Sequence, residues 1–118
     1  MKAQEAITAF ALSEKIKSGL LWANQIVELM KALPEEEKRG AEKIIKAVVG
    51  MIGNEIHLAK KLTPKYSWTD VEKNADMALV MINSNVAQES TFHLTQALTQ
   101  VTNIGQRSMS FLMEKGLL

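Results

Sequence analysis

Proline can open a helix but cannot sit inside one without breaking it, and this chain of 118 residues contains two, Pro34 and Pro64. They divide it into runs of 33, 29 and 54 residues. In the first run, Ala9, Leu12, Ile16, Gly19, Ala23, Ile26, Met30 and Leu33 recur at steps of three and four. That spacing lines up side chains on one face of an α-helix. A first helix is therefore expected, with those eight residues as its packed seam and Ala9, Gly19 and Ala23 small enough to admit a close neighbour. Ile7, Phe10, Leu21, Trp22 and Leu29 fall off the seam, so the helix is apolar over an arc wide enough for two or more neighbours.

Pro34 followed by Glu35, Glu36 and Glu37 has the form of a helix start, because proline fits the first turn and carboxylates complement the partial positive charge there. Ala41, Ile45, Val48, Ile52, Ile56, Ala59 and Leu62 continue it on one face, and Lys60-Lys61 suit its negative end. Gly50 and Gly53 fall inside this second helix, where each costs roughly 1 kcal/mol relative to Ala. A close helix crossing is the expected reason for them, the alternative being a soft point near Met51. Thr63 to Trp68 reads as a loop, and Thr69-Asp70-Val71-Glu72 matches the capping box that opens a third helix.

No Gly or Pro interrupts Thr69 to Ile104, so the end of the third helix must be found from its stripes. Val71, Ala75, Ala78, Ile82 and Val86 form one, and Leu94, Ala97, Val101 and Ile104 form another. At 100° per residue the second is rotated from the first by about a fifth of a turn. Between them stands Asn83-Ser84-Asn85, with Asn85 and Gln88 at capping-box spacing. A turn is predicted near Ser84 to Val86. The whole chain, residues 1–118, then forms one all-α domain, an antiparallel up-down-up-down four-helix bundle. The other arrangement is a three-helix chain whose last helix, about 46 residues and on the order of 70 Å long, is completed by a dimer partner.

Composition excludes several chemistries. With no cysteine there are no structural disulfides, thiolate metal sites or cysteine nucleophiles. The longest uninterrupted apolar-plus-glycine run, Ala47 to Gly53, falls far short of the ~20 residues that cross a bilayer. A cytoplasmic protein that neither enters nor crosses a membrane is expected. A net charge of +1 supplies no long-range field to gather nucleic acid. The basic and aromatic residues around the second proline, Lys60, Lys61, Lys65, Tyr66 and Trp68, are accounted for by a helix end and a cap on the bundle, and no nucleic-acid partner is expected.

The two histidines offer little catalysis. Glu89 and His93 lie four apart on one helical face, a pair able to bind a metal or share a proton. The simpler account is a partly buried histidine bonded to a neighbouring carboxylate. Glu55 and His57 are two apart and point to different sides. The repeated Glu-x-x-His of di-iron bundles is absent, as is a phosphate loop in the setting such a loop needs. No enzyme, cofactor or resident metal is expected.

Function is instead suggested by a missing feature. From Met77 to Met113 the only charged side chains are Glu89 and Arg107. Thr, Gln, Asn and Ser replace the usual Lys and Glu. Two rows run along the last helix: Leu94, Ala97, Val101, Ile104, Ser108 and Phe111, and beside it Gln88, Phe92, Thr95, Thr99, Thr102, Gln106, Met109 and Met113. Interfaces deplete Lys and Glu and keep side chains that desolvate cheaply. The expected interface is Phe92, Thr95, Thr99, Thr102, Gln106, Met109 and Met113, joined by Ile7 and Phe10 from the first helix. The expected function is protein–protein association, as a homodimer, adaptor or assembly subunit. The alternative is a module that binds a small apolar or metal ligand near Glu89 and His93.

Overall fold

The structure is a computed structural model describing residues 2–118. Four helices carry the chain: α1 (Ala3–Met30), α2 (Glu35–Leu62), α3 (Thr69–Asn83) and α4 (Ser90–Glu114), with a 3₁₀ turn at Ala87–Glu89 ahead of α4. Each helix packs on its neighbours in the chain, and α4 closes the ring against α1. The result is the four-helix bundle expected from the stripes, 54 Å long and 21 × 18 Å across. No helix among the described residues is long and apolar enough to cross a membrane.

The division between α3 and α4 falls where the stripes change phase. α3 stops at Asn83, and Asn85 takes a left-handed conformation with φ 65°, which asparagine tolerates better than most residues. The Val86 N–H then reaches back to Met81 O at 3.0 Å. The long-helix arrangement is thereby excluded. Neither expected capping box forms, since no side-chain cap bond is present at the start of α3 or of the 3₁₀ turn. Glu72 is held instead by Lys60 at 3.1 Å. Asn85, being left-handed, is outside the extended backbone that a cap residue needs.

The inner seam of α1 is rotated from the expected one. Ala6, Ala9, Ser13, Ile16, Leu20, Ala23, Val27 and Met30 are buried, while Leu12, Gly19, Ile26 and Leu33 sit at its edge. The cause is the contact with α4. A Cβ built on Gly105 would lie 2.9 Å from Ser13 Oγ, so the two helices meet closely through Ser13 and Gly105. Gly19 makes the other tight approach, its would-be Cβ 3.2 Å from Ile52 Cγ1 on α2. Gly50 and Gly53 do not mark a helix crossing: nothing lies within 4 Å of a Cβ at either position. On α2, Val49 joins Ile45, Ile52, Ile56 and Ala59 in the core, whereas Leu62 is exposed. On α4, Leu112 is buried and Phe111 is at the edge.

One pole of the bundle is closed by the loop between α2 and α3. Trp68, 1% exposed, donates its indole N–H to Thr63 Oγ1 at 2.7 Å, and the Thr63 hydroxyl donates to Ala59 O at 2.7 Å. Tyr66 is 4% exposed and lies under the Arg107 guanidinium, 5.3 Å from the ring centre. The Lys65 backbone N–H bonds Glu5 Oε2 at 3.1 Å. The loop is thus fastened to α1 and to α4. Its two aromatic rings fill the end of the core and present no face on which a base could stack.

Candidate interaction surfaces

Antiparallel packing of α1 on α4 is registered by two contacts, Ser13 with Gly105 and the Asn24 amide donating to Thr95 Oγ1 at 3.2 Å. That register puts Phe10 at the level of Met109, and Ile7 at the turn before Met113. Every residue expected at an interface therefore lies on one side of the bundle. Phe92 (62% exposed), Thr95, Thr99, Gln106, Met109, Met113 and Ile7 are exposed, and Thr102 and Phe10 are half-buried.

The threonines of this row are less polar than their sequence implies. Thr99 donates its hydroxyl to Thr95 O at 3.2 Å and Thr102 to Leu98 O at 2.8 Å, as Thr91 beside the row does to Gln88 O at 2.9 Å. Thr95 Oγ1 accepts from the Asn24 amide. A hydroxyl bonded back to its own helix is already satisfied. A shallow groove of about 690 Å³, lined by Asn24, Gln25, Glu28, Leu29, Thr91 and Thr95, runs into the α1–α4 seam. The Asn24 Oδ1 at its floor is buried without a hydrogen-bond partner.

A second surface was not read from the sequence. Ile44, Val48, Met51, Glu55, Leu58 and Leu62 step along α2 by four and three, on the side away from α3. Ile44, Met51, Leu58 and Leu62 are exposed, Met51 by 66%. Beside them on α1 stand Trp22 (66% exposed) and Leu29, both also exposed. A groove of about 670 Å³ between the two helices is lined by Trp22, Ile26, Val48 and Met51 among others. The charges at its centre, Lys15 and Glu55, are bonded to each other at 2.8 Å. The available signal was the seven-residue spacing of Ile44, Met51 and Leu58. It was obscured because Val48 and Leu62 fit the inner stripe equally well.

The remaining polar clusters are structural ties. His93 Nδ1 lies 3.4 Å from Asn74 Oδ1, and the Asn74 amide donates to Gln100 Oε1 at 3.0 Å, which links α3 to α4. His93 thus has an amide rather than the Glu89 carboxylate as its neighbour. Glu89 is exposed at the end of the 3₁₀ turn. His57 Nδ1 is 3.7 Å from Glu72 Oε2, across the α2–α3 seam. Among the described residues no three His, Asp or Glu side chains converge as a metal site. Comparison of the chain with known protein families, curated proteins and solved structures finds no match.

Proposed function

We propose that this protein works by association with another polypeptide, as a cytoplasmic homodimer, adaptor or assembly subunit, and not by catalysis. One observation supports this most: the row on α4 from Phe92 to Met113 is uncharged, the hydroxyls of Thr99 and Thr102 are bonded to their own backbone, and Thr95 Oγ1 accepts from Asn24. Covering such a flank costs little desolvation. Ile7, exposed on α1, and half-buried Phe10 add apolar area to the same side. The alternative, a small apolar or metal ligand beside Glu89 and His93, draws no comparable support, since His93 is engaged with Asn74.

Light scattering tests the proposal. The purified chain should run at a multiple of its own mass, and Thr99→Glu with Gln106→Glu should lower that mass by placing two carboxylates on the row. Both positions are exposed, so circular dichroism should show the fold unchanged. A mass that does not respond to the paired substitution would remove this face from the proposal.

A further inference from the structure

The outer face shared by α1 and α2 carries a pattern of its own. Along α1 the outward residues of this face that carry no charge include two small ones, Ala11 and Ser18, followed by two large ones, Trp22 and Leu29, all exposed. Along α2 the sequence is Gly40, Ile44, Met51, Leu58 and Leu62, again all exposed. The levels of the two helices are tied together by Lys15 with Glu55 and by Gly19 with Ile52.

From these positions we infer that this face binds a second copy of the chain in antiparallel fashion, about a two-fold axis through Met51. The inference rests on the reading of the protein as an associating subunit, and adds to it both the partner and the register.

Three features support it. First, turning the face about an axis at Met51 sets Met51 on its own copy, Ile44 beside Leu58 and Leu62 beside Gly40 of the second copy. The same axis passes α1 near Gly19 and Leu20, and there it sets Trp22 over Ser18 and Leu29 over Ala11. On α1 each large side chain meets a small one, and on α2 Leu62 meets Gly40 while Met51, Ile44 and Leu58 meet other exposed apolar side chains, with one axis serving both helices. A two-fold interface requires this self-complementarity.

Second, α2 opens with Glu35, Glu36 and Glu37 and closes with Lys60 and Lys61, with Lys65 just beyond. Antiparallel pairing brings Glu36 and Glu37 of one copy towards Lys61 and Lys65 of the other, whereas parallel pairing would set like charges together. The Lys15–Glu55 pair within the face is neutral as a unit.

Third, the area is adequate. Gly40 to Leu62 rises about 33 Å, and two packed helices are about 20 Å wide. The footprint is then on the order of 650 Å² per copy, close to the ~800 Å² per partner of a standard stable interface.

The test uses the full chain carrying Thr99→Glu and Gln106→Glu, so that the α4 face is disabled. With both faces free the chain should exceed a dimer in mass, and this variant should fall to a dimer by light scattering. Adding Met51→Cys, the only cysteine in the molecule, should give a disulfide-linked dimer under mild oxidation. Ile44→Cys and Leu58→Cys should cross-link only when the two variants are mixed. Trp22 emission should shift to the red on dilution, while buried Trp68 contributes a constant background.

A Thr99→Glu/Gln106→Glu variant that is monomeric up to millimolar concentration, beside an unsubstituted chain that still associates, overturns this face and leaves the α4 face standing. An unsubstituted chain that is monomeric throughout overturns self-association at both. Cross-linking of Ile44→Cys to itself overturns the antiparallel register.

Discussion

The hydroxyl of Thr63 accepts a hydrogen bond from the Trp68 indole and donates one to Ala59 O, both at 2.7 Å, with no part of Thr63 exposed. One side chain thereby ends α2 and orients the largest residue of the core. Thr63→Val keeps the shape and removes both bonds, leaving a buried indole N–H without an acceptor. That omission costs about 1–3 kcal/mol. Urea unfolding should show a lower midpoint for Thr63→Val and a smaller drop for Thr63→Ser, which keeps both bonds and loses one buried methyl, about 1 kcal/mol.

Ser13 and Gly105 bring α1 and α4 close together, a Cβ on Gly105 falling 2.9 Å from Ser13 Oγ. Gly105→Ala gains about 1 kcal/mol of helix propensity, but it overpacks a junction where such insertions cost about 1–3 kcal/mol. A net loss is expected. The obstacle is the Ser13 oxygen, since the Ser13 Cβ lies at an ordinary 3.7 Å. Ser13→Ala together with Gly105→Ala should therefore recover the loss, which a double-mutant cycle would read as coupling between the two sites.

Gly50 and Gly53 should behave in the opposite way. Neither would place a Cβ near another atom, and both lie within α2. Gly50→Ala and Gly53→Ala should each raise stability, by up to about 1 kcal/mol. Thermal or urea unfolding that showed a loss at either position would mean that the glycine serves a contact outside the single chain.

Tyr66 gives the bundle a dependence on alkaline pH. Burial pushes its phenol above the ordinary value of 10.0, Arg107 partly opposes this and Glu5 adds to it. The folded state thus holds the phenolic proton more tightly than the unfolded state does. Its contribution is complete below pH 10 and is lost as pH rises towards the folded value. Tyr66→Phe should abolish this part of the alkaline loss, seen as the difference between the two proteins' unfolding midpoints from pH 8 to 11. It also removes a buried hydroxyl that has no partner, so stability at pH 7 should be equal or higher.

Helix positions were legible because they depend on local chemistry. Pro34 with its three glutamates starts α2 in the structure, and the phase change around Asn83–Asn85 is where the chain turns. Which face of each helix turns inward was less legible. In α1, Leu12, Gly19 and Ile26 have nearly the same apolar claim to the core as Ser13, Leu20 and Val27. The choice between them is made by close packing against Gly105, a residue 92 positions away from Ser13. Capping boxes were misread because Glu72 has a lysine within reach across the seam, which no local pattern reveals. The uncharged row of α4 was legible, and lies together on one flank, because absence of charge is visible in a sequence. The α1–α2 face was missed because an outward apolar stripe and an inward one share the same period.

The loop from Thr63 to Trp68 behaves as a stopper driven into one pole of the bundle, held from below by Thr63 and from the sides by Glu5 and Arg107. A peptide spliced into it would have to expel two aromatic rings before any helix could re-form. The short turn after Met30 at the other pole carries no such plug, and there an inserted tag or fused domain can be accepted with the four helices left as they are.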